Sequence, residues 1–231
     1  MAQLAGHPYV PRAQWGARAP TAGFVRMTLP SPRVWIHHTG TEQHGGAAVR
    51  EIQRYHQVTK GWKDIAYNFL IDDDGTIYEG RGAGIAGGAT AGDNSRSHAI
   101  CLMGNFETRQ PTQASFRTLV DLARHGQRVG WWVPTCGGHR DAPGASTACP
   151  GRHLYARLPE LRKEIAHPTP DELHEEIIVQ STRNGAALLL SGGTTFLIES
   201  PAALLAHTHA GIPVIRVSPT QFSRYLKARA A

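Results

Sequence analysis

The segment from Gly137 to Gly151 places a histidine and a cysteine within a run of small residues. His139 and Cys149 are ten positions apart, and most residues between them are Ala, Gly, Pro, Ser or Thr, which favour a loop. Imidazole nitrogen and thiolate sulfur are ligands that zinc prefers in proteins. The segment therefore predicts a loop that brings two ligands to one metal ion.

A third candidate ligand lies upstream, in the run Val34 to Thr39. This run predicts a buried strand that carries His37 and His38 in succession. Because neighbouring side chains of a strand point to opposite faces, only one of the two histidines is expected to reach a shared ion. Three protein ligands with one open position are typical of catalytic zinc, and the pattern favours a zinc hydrolase.

The hydrophobic period changes repeatedly along residues 33–166, which is typical of an α/β fold with a mixed central β-sheet flanked by helices. Strands are predicted at 33–38, 65–71, 77–79, 99–103 and near 131–133, with a hairpin turn at Asp74-Gly75. Residues 1–30 are expected to form an irregular arm anchored by Trp15, and residues 82–97 a loop.

Three helices are indicated by residues that recur at spacings of three or four. The first runs from Gly45 to Gly61, the second follows the N-cap Thr112, and the third ends before His167. Their recurring residues are Val49, Ile52, Tyr55 and Thr59; Phe116, Leu119, Val120 and Ala123; and Leu154, Leu158, Leu161 and Ile165.

Two prolines in His167–Pro170 predict a stiff linker at 167–171, between a domain at 1–166 and a small α+β domain at 172–231. In the second domain, strands are predicted at 177–180, 187–190, 196–198 and 214–217, and helices near 201–209 and 219–229. The role of this domain is left open between binding a wall polymer, self-association and contact with a phage or host protein.

The net charge of +6 belongs to the first domain, because residues 1–167 hold 19 basic and 13 acidic side chains, whereas residues 168–231 hold five of each. A basic surface suits a nucleic acid, an anionic membrane or an acidic wall polymer, or it is simply solvated. No Lys/Arg run with interleaved aromatic residues is present, so nucleic acid is not expected as a partner. No segment is long and apolar enough to span a membrane, so no membrane association is expected either.

The three cysteines are widely spaced and odd in number, which predicts a reducing compartment rather than a disulfide framework. Cys101 is expected in the core, and Cys136 as a spare thiol. The start of the chain lacks a secretory signal pattern, which predicts synthesis in the cytoplasm.

Seven motifs occur in a fixed order within residues 10–165: Arg12–Arg18, Ile36–Thr39, Gly61–Leu70, Asp74–Gly82, Met103–Phe106, Gly138–Asp141 and Thr147–Gly151. Together they resemble the zinc-dependent N-acetylmuramoyl-L-alanine amidases of the type-2 amidase and peptidoglycan-recognition-protein superfamily, which includes phage endolysins. The resemblance implies that the chain hydrolyses the amide between N-acetylmuramic acid and L-alanine in bacterial peptidoglycan, which leads to cell lysis.

The resemblance also implies roles for individual residues. His37, His139 and Cys149 match the zinc ligands, and Tyr67 and Thr147 match positions that orient water and bond an oxyanion. His38 then has a supporting or packing role at the substrate side. Some phage members carry a lysine where this chain has Thr147. Three further roles are open: His56 or His98 as a proton carrier, and Asp141 either orienting a ligand or capping a loop.

The substrate-binding residues implied by the resemblance are Gly61, Trp62, Arg81, His38 and Asn105. A Gly-Trp pair with this arginine goes with peptidoglycan of the diaminopimelate type, whose extra carboxylate an arginine can bind with two hydrogen bonds. The alternative is that Gly61 only ends a helix and Trp62 packs in the core.

The rival hypothesis is a peptidoglycan-recognition module without catalysis. Non-catalytic members of this superfamily typically lack the cysteine ligand, so Cys149 favours an enzyme. The cytoplasmic expectation favours a phage endolysin that reaches the wall through a membrane pore, over an enzyme that recycles wall fragments.

Overall fold

The computed structural model describes residues 2–133 and 135–166, the segments 177–181, 186–191, 194–198 and 214–217, and residues 220 and 222. The chain divides into two compact units, Met1–Ala166 and His167–Ala231. Within these described ranges, no helix is long and apolar enough to cross a membrane.

The first unit is a mixed seven-stranded sheet with helices on both faces, as the sequence predicted. Its strands are β1 (Gln3–Leu4), β2 (His7–Val10), β3 (Arg33–His38), β4 (Phe69–Ile71), β5 (Ile77–Glu79), β6 (Ser97–Leu102) and β7 (Cys136–Gly138). Its helices are α1 (Arg12–Trp15), α2 (Gly45–Arg54), α3 (Gln113–Arg128), α4 (Arg152–Ala156) and α5 (Leu158–Ala166). A π-helical turn spans Tyr55–Thr59, and a 3-10 turn spans His139–Asp141.

The strand order is β1-β2-β5-β4-β6-β3-β7. The four pairs β2–β5, β4–β6, β6–β3 and β3–β7 are parallel, and the pairs β1–β2 and β4–β5 are antiparallel. The strand β3 is therefore bonded on both sides, to β6 and to β7, and its carboxyl end lies beside theirs.

The two faces of the sheet bury different clusters. On one face, Val34 and Ile36 join residues of β6, α3 and α5, and Ile36 is completely buried. On the other face, Leu70 and Cys101 pack with Trp15 and Val49 from α1 and α2. Each fully buried aliphatic side chain contributes about 1.5–3 kcal/mol to folding. Because side chains alternate along β3, His37 lies on the second face.

Several sequence predictions are confirmed. Thr112 caps α3 by accepting a hydrogen bond from Ser115 N at 3.0 Å, and the four predicted apolar residues of this helix are buried. Gly75, with φ of 88°, makes the turn between β4 and β5, where Gly75 N donates to Asp72 O at 3.0 Å. Trp15 is 1% exposed and anchors its segment.

The prediction of an irregular arm at residues 1–30 is wrong for its first part. The strands β1 and β2 form a hairpin that extends the sheet, and Tyr9 pairs with Ile77. His7 Nε2 also contacts Asp121 Oδ2 of α3 at 2.7 Å. The prolines misled the prediction: Pro8 lies in β2, but β2 pairs with β5 only through Tyr9 and Val10, so that ladder does not need an N–H from Pro8.

The predicted face of the first helix is also wrong beyond Ile52. Tyr55 is 44% exposed, and the buried side chains of this segment include Gln53 and His56. The π-helical turn adds a residue to the helical repeat, which rotates the buried face away from the regular spacing. The helix still ends at Gly61, whose φ is 67°.

A strand near 131–133 was predicted, but the strand that forms is β7, at 136–138. Trp132 makes only an isolated bridge with Ser31, and its indole donates to Ala123 O of α3 at 2.9 Å. These aromatic residues pack against the helix end, and a strand containing two glycines has no propensity signal. The strand predicted at 65–71 is shorter as well, starting at Phe69. Asn68 N still donates to Ala99 O at 2.9 Å, but Ala99 N bonds to the side-chain Oδ1 of Asn68 rather than to a strand carbonyl.

The segment predicted as the third helix forms two helices, α4 and α5. The four residues of its predicted apolar face are buried, Leu154 in α4 and Leu158, Leu161 and Ile165 in α5. In the second unit, the four predicted strands are confirmed as β8 (Ile177–Ser181), β9 (Ala187–Ser191), β10 (Thr194–Ile198) and β11 (Val214–Val217). Their order is β10-β9-β8-β11, with β8 and β11 parallel. The predicted linker lies outside the described residues, as do the two helices predicted near 201–209 and 219–229, apart from residues 220 and 222.

Candidate functional site

Two parallel neighbours, β3 and β7, bring two histidines together at their carboxyl ends. In the ladder Ile36 pairs with Gly138, so His37 is the next residue of β3 and His139 is the first residue after β7. Their ring centroids are 4.5 Å apart. Parallel register, rather than any sequence proximity, therefore assembles this pair.

Cys149 completes the cluster from the loop that follows His139. One ligand atom from each of His37, His139 and Cys149 lies within 4.8 Å of the others, and Cys149 Sγ is 3.7 Å from His37 Nδ1. In tetrahedral zinc sites, bond lengths of about 2.3 Å to sulfur and 2.0–2.1 Å to nitrogen separate two such atoms by about 3.6 Å. The spacing of sulfur and nitrogen therefore fits a zinc ion.

The neighbouring histidines of β3 have different surroundings. His37 is 2% exposed, and its Nε2 lies 3.3 Å from Thr90 Oγ1, which leaves Nδ1 toward Cys149. His38 Nδ1 instead accepts a hydrogen bond from Phe106 N at 3.2 Å, while the backbone of His38 acts to lower the pKa of the Cys149 thiol, against the larger effect of burial. His38 therefore supports the cluster through its backbone.

The electrostatics of the cluster suit a cation. Burial, with His139 nearby, holds the pKa of His37 well below its usual value, and burial lowers the pKa of His139. Both imidazoles are therefore neutral near pH 7, the form that binds metals. Burial raises the pKa of the Cys149 thiol to about 11, although Arg140 nearby acts in the opposite direction. A thiolate there needs a further positive partner, which a bound metal ion would supply.

Tyr67 lies beside the metal cluster, with its ring centroid 5.5 Å from that of His37. Burial raises the pKa of its phenol well above the usual value, and the Cys101 and Cys149 thiols contribute in the same direction. The phenol is therefore a neutral hydrogen-bonding group. Gly80 allows this arrangement, because a Cβ there would lie 2.1 Å from Tyr67 O.

Thr147 and Gly151 determine how the loop meets the cluster. Thr147 Oγ1 accepts a hydrogen bond from Cys149 N at 3.1 Å, so this hydroxyl lies two residues before the ligand and still has a proton to donate. Gly151 has φ of 87°, and a Cβ there would lie 2.5 Å from the carbonyl carbon of Phe106. The loop therefore packs closely against the segment that follows β6.

The four remaining predicted substrate residues are spread around this cluster. Trp62 is 38% exposed and stacks near His56, with ring centroids 4.8 Å apart, so it is not a core residue. Asn105 accepts from Glu107 N at 3.2 Å in its own loop. Arg81 Nε and Nη1 donate to three carbonyls, those of Ile65, Ala86 and Gly87. Its Nη2 lies 3.5 Å from Asp64 O, so every nitrogen of the Arg81 guanidinium faces a backbone carbonyl, and a carboxylate-binding role stays a prediction.

The structure distinguishes between the roles left open for His56, His98 and Asp141. His56 lies beside Tyr67, with centroids 5.7 Å apart, and burial lowers its pKa to about 4. His98 pairs with Val34 and packs on Trp132 at the opposite face of the sheet, so the hypothesis that it carries a proton for this site is wrong. Asp141 caps the turn by accepting from Gly138 N at 2.9 Å and from the Tyr155 hydroxyl at 2.7 Å.

Two residues near the site were missed by the sequence analysis. Thr90 contacts the Nε2 of His37 and so orients the ligand ring, a role that commonly tunes metal sites. Asn68 is completely buried and ties the Tyr67 segment to Gly82, Ile85 and Ala99. A threonine in a Gly/Ala-rich loop carries no signal for such a contact, whereas a buried asparagine inside an apolar run could have indicated it.

Comparisons with known proteins agree with this geometry. A family model described as N-acetylmuramoyl-L-alanine amidase (Amidase_2) matches residues 28–152. The human N-acetylmuramoyl-L-alanine amidase is 38% identical over 159 residues, which cover 64% of this chain and 27% of that protein. Peptidoglycan-recognition protein SC2 of Drosophila simulans is 35% identical over 162 residues, covering 66% of this chain and 85% of the relative. The chain thus spans about a quarter of the human relative's length.

A solved structure shares the fold. Peptidoglycan recognition protein LE, in complex with tracheal cytotoxin (monomeric diaminopimelic acid-type peptidoglycan), matches with a TM-score of 0.63 and 34% identity, covering 66% of this chain and 92% of that one. The predicted fold class is confirmed. Since the family model matches more than half of the chain, from the segment before β3 to the first residue of α4, this chain belongs to the N-acetylmuramoyl-L-alanine amidase family (Amidase_2).

Proposed function

We propose that this chain is a zinc-dependent amidase that hydrolyses the bond between N-acetylmuramic acid and L-alanine in bacterial peptidoglycan. The observation that carries the proposal is the complete cluster of His37, His139 and Cys149, with one ligand atom of each within 4.8 Å of the others. Three protein ligands leave an open position for water or substrate, as catalytic zinc requires. By the resemblance described above, a module that only recognises peptidoglycan typically lacks the cysteine.

His37, His139 and Cys149 would hold the ion. When bound, zinc acts as a Lewis acid on the scissile carbonyl and lowers the pKa of bound water to about 7. The two neutral imidazoles and the Cys149 thiolate reduce the net charge at the ion by one. The sheet holds His37 in place, so the geometry does not have to be rebuilt at each turnover.

Tyr67 and Thr147 supply hydrogen bonds around the reacting carbonyl. The raised pKa of the Tyr67 phenol makes it a donor rather than a proton acceptor near pH 7. The Thr147 hydroxyl, held by Cys149 N, has one proton to donate toward developing negative charge. His56 is the described candidate beside Tyr67 for moving a proton, because it is neutral at pH 7.

The substrate class is bacterial peptidoglycan, and we infer a preference for the diaminopimelate type. The related recognition protein LE has been solved with a peptidoglycan fragment of that type. The exposed face of Trp62, next to Gly61 and His56, offers an aromatic surface near Tyr67. A test compares release of stem peptides from diaminopimelate-type and lysine-type walls. Faster release from the first supports the preference, and equal rates or the reverse order contradict it.

The competing function is recognition without hydrolysis, which the recognition proteins among the relatives make worth testing. The decisive experiment incubates the full chain with purified peptidoglycan and measures new L-alanine amino ends and new reducing sugar. We expect amino ends without reducing sugar, loss of activity after chelation, and recovery with zinc for the wild type but not for Cys149→Ala. Wall binding without any new amino ends would support a recognition module instead.

Two further proposals rest on the sequence. The first is that the chain is a phage endolysin, and the second is that its second unit binds a wall polymer or self-associates. An endolysin released through a pore should lyse host cells only when a pore-forming protein is co-expressed. For the second unit, the full chain and a chain ending at Ala166 can be compared for sedimentation with cell walls and for molecular mass in solution. Equal sedimentation of the two proteins, with each of them monomeric in solution, would remove both wall binding and self-association.

A further inference from the structure

Arg140 directly follows the ligand His139, and its side chain reaches the other end of the same loop. Its Nη2 donates to Ala148 O, and its Nε lies 3.5 Å from Cys149 O. The backbone N–H of Arg140 donates to the same Cys149 carbonyl at 3.0 Å. One residue therefore joins the segment of one ligand to the segment of another.

The rest of this loop has little other support. Residues 143–148 are mostly exposed, and the hydrogen bonds described for 142–148, apart from those of Arg140, join residues of the loop and its ends to each other. Ala145 N, for example, donates to Ala142 O, and Gly151 N donates to Ala148 O. The small residues of the loop add few side-chain contacts. Without Arg140, the position of Cys149 would depend on the residues that follow it, the buried Pro150 beside Gly138 and the closely packed Gly151.

Arg140 is itself held from two sides. Its guanidinium carbon lies 4.5 Å from the centroid of the Tyr155 ring, and its Nη2 is 3.5 Å from Glu107 Oε1. The Tyr155 hydroxyl in turn donates to Asp141 at 2.7 Å. The side chain is 28% exposed, so part of the guanidinium is shielded from water. A planar fork held by a ring and a carboxylate loses little further freedom when it binds carbonyls.

We propose that Arg140 is a positioning residue that holds Cys149 against His37 and His139 and thereby raises the affinity for zinc. The inference rests on the proposed function, because it concerns the ion of that site. Its physical basis is preorganisation: a mobile loop must be ordered when the ion binds, and that entropic cost weakens binding. Outer contacts of this kind change metal affinity about 10–100-fold.

The test measures zinc affinity by competition with a chromophoric chelator, and the unfolding of the metal-free protein by tryptophan fluorescence. Arg140→Gln should weaken zinc binding about 10–100-fold, and Arg140→Lys, which keeps the charge but not the fork, should weaken it less. Arg157→Gln is the matched control. Arg157 also contacts a ring, that of Phe116, and a carboxylate, that of Glu160, without touching the metal loop.

Each result has a defined meaning. Zinc affinity of Arg140→Gln within twofold of the wild type would overturn the inference alone, whereas a wild type without zinc affinity would overturn the proposed function together with it. An equal loss of affinity in Arg157→Gln would show an unspecific effect and also contradict the inference. Should Arg140→Gln fail to fold without metal, Arg140→Lys decides, because affinity equal to that of the wild type would then count against the inference.

Discussion

The two sides of the metal cluster are held in different ways. On the strand side, His37 belongs to β3, which is bonded to β6 and β7 and has the fully buried Ile36 as its neighbour. On the loop side, Cys149 sits in a segment of small residues, held by Arg140 and by the packing of Gly151 against Phe106.

Because of this difference, substitutions on the two sides should affect the stability of the fold and the affinity for a metal ion to different degrees. The strand side is part of the hydrophobic core, so damage there lowers the free energy of unfolding before it moves a ligand. The loop side buries little apolar surface, so damage there moves a ligand at little cost in stability. The sheet fixes the position of His37, whereas the position of Cys149 depends on contacts that hold the loop.

The largest effect is expected from removing the strand ligand itself. His37→Ala should lower amidase activity at least about a thousandfold, because the bound ion supplies several kcal/mol of transition-state stabilisation. Release of L-alanine amino ends and zinc content measure the change. His38→Ala is the control, since its imidazole bonds to Phe106 N and not to the cluster, and it should retain zinc. Zinc loss in His38→Ala alone would reverse the ligand assignment.

Shortening a buried side chain of β3 should lower the free energy of unfolding without changing the affinity for zinc. Ile36→Ala should reduce the free energy of unfolding by about 2–5 kcal/mol, while the folded protein binds zinc within about threefold of the wild type. Tryptophan fluorescence is suitable, because all five tryptophans lie within residues 1–166. Leu161→Ala on α5 removes comparable buried volume away from the ligands. A tenfold weaker zinc affinity in Ile36→Ala but not in Leu161→Ala would refute a rigid strand side.

The strand side should also be the part that acid weakens. Burial lowers the pKa of His98 to about 4, so between pH 6.5 and 4 the unfolded chain binds a proton there that the folded protein does not. The free energy of unfolding should therefore fall as the pH falls through this window, by up to about 3 kcal/mol from His98.

Urea unfolding at pH 7 and pH 4, for the wild type and His98→Gln, isolates this contribution. The stability of the wild type relative to His98→Gln should drop by about 3 kcal/mol between the two pH values. Burial lowers the pKa of His56 to about 4 as well, so His98→Gln should retain some acid sensitivity. Parallel pH profiles for the two proteins would contradict the prediction.

A smaller effect than the loss of a ligand is expected at the loop side, where zinc affinity should change. Gly151→Ala should weaken zinc binding about 10–100-fold, because its Cβ would displace the loop from Phe106 and move Cys149. Gly144→Ala is a matched control: Gly144 also has a positive φ, of 75°, but a Cβ there would meet nothing within 4 Å. Competition with a chelator measures both, and equal affinities would show that the Gly151 contact does not position the ligand.

The comparison also explains how far the sequence could lead. Local chemistry was readable: the Thr112 cap, the Asp74-Gly75 turn and the continuous apolar run of β3 all depend on neighbours along the chain. The spacing of His139 and Cys149, together with the motifs, named the three residues that the structure brings together.

Other features were not readable because their causes are distant in sequence. The π-helical turn at Tyr55–Thr59 changed the buried face, and the packing of Trp132 against Ala123 moved the last strand to three residues with no strand propensity. The face on which His98 lies depends on the register of β6 with β3. The contact of Thr90 with His37 joins residues that are 53 positions apart.

The sequence by itself determined which side chains can bind a metal, most of the strands and helices, and where the loop between His139 and Cys149 can bend. Only the tertiary structure decided that β7 lies beside β3, so that His139 meets His37, and that the Arg140 guanidinium reaches the carbonyls of Ala148 and Cys149. The physical reason is that propensity and spacing act between near neighbours, whereas strand pairing and close packing are settled by the free energy of the whole core.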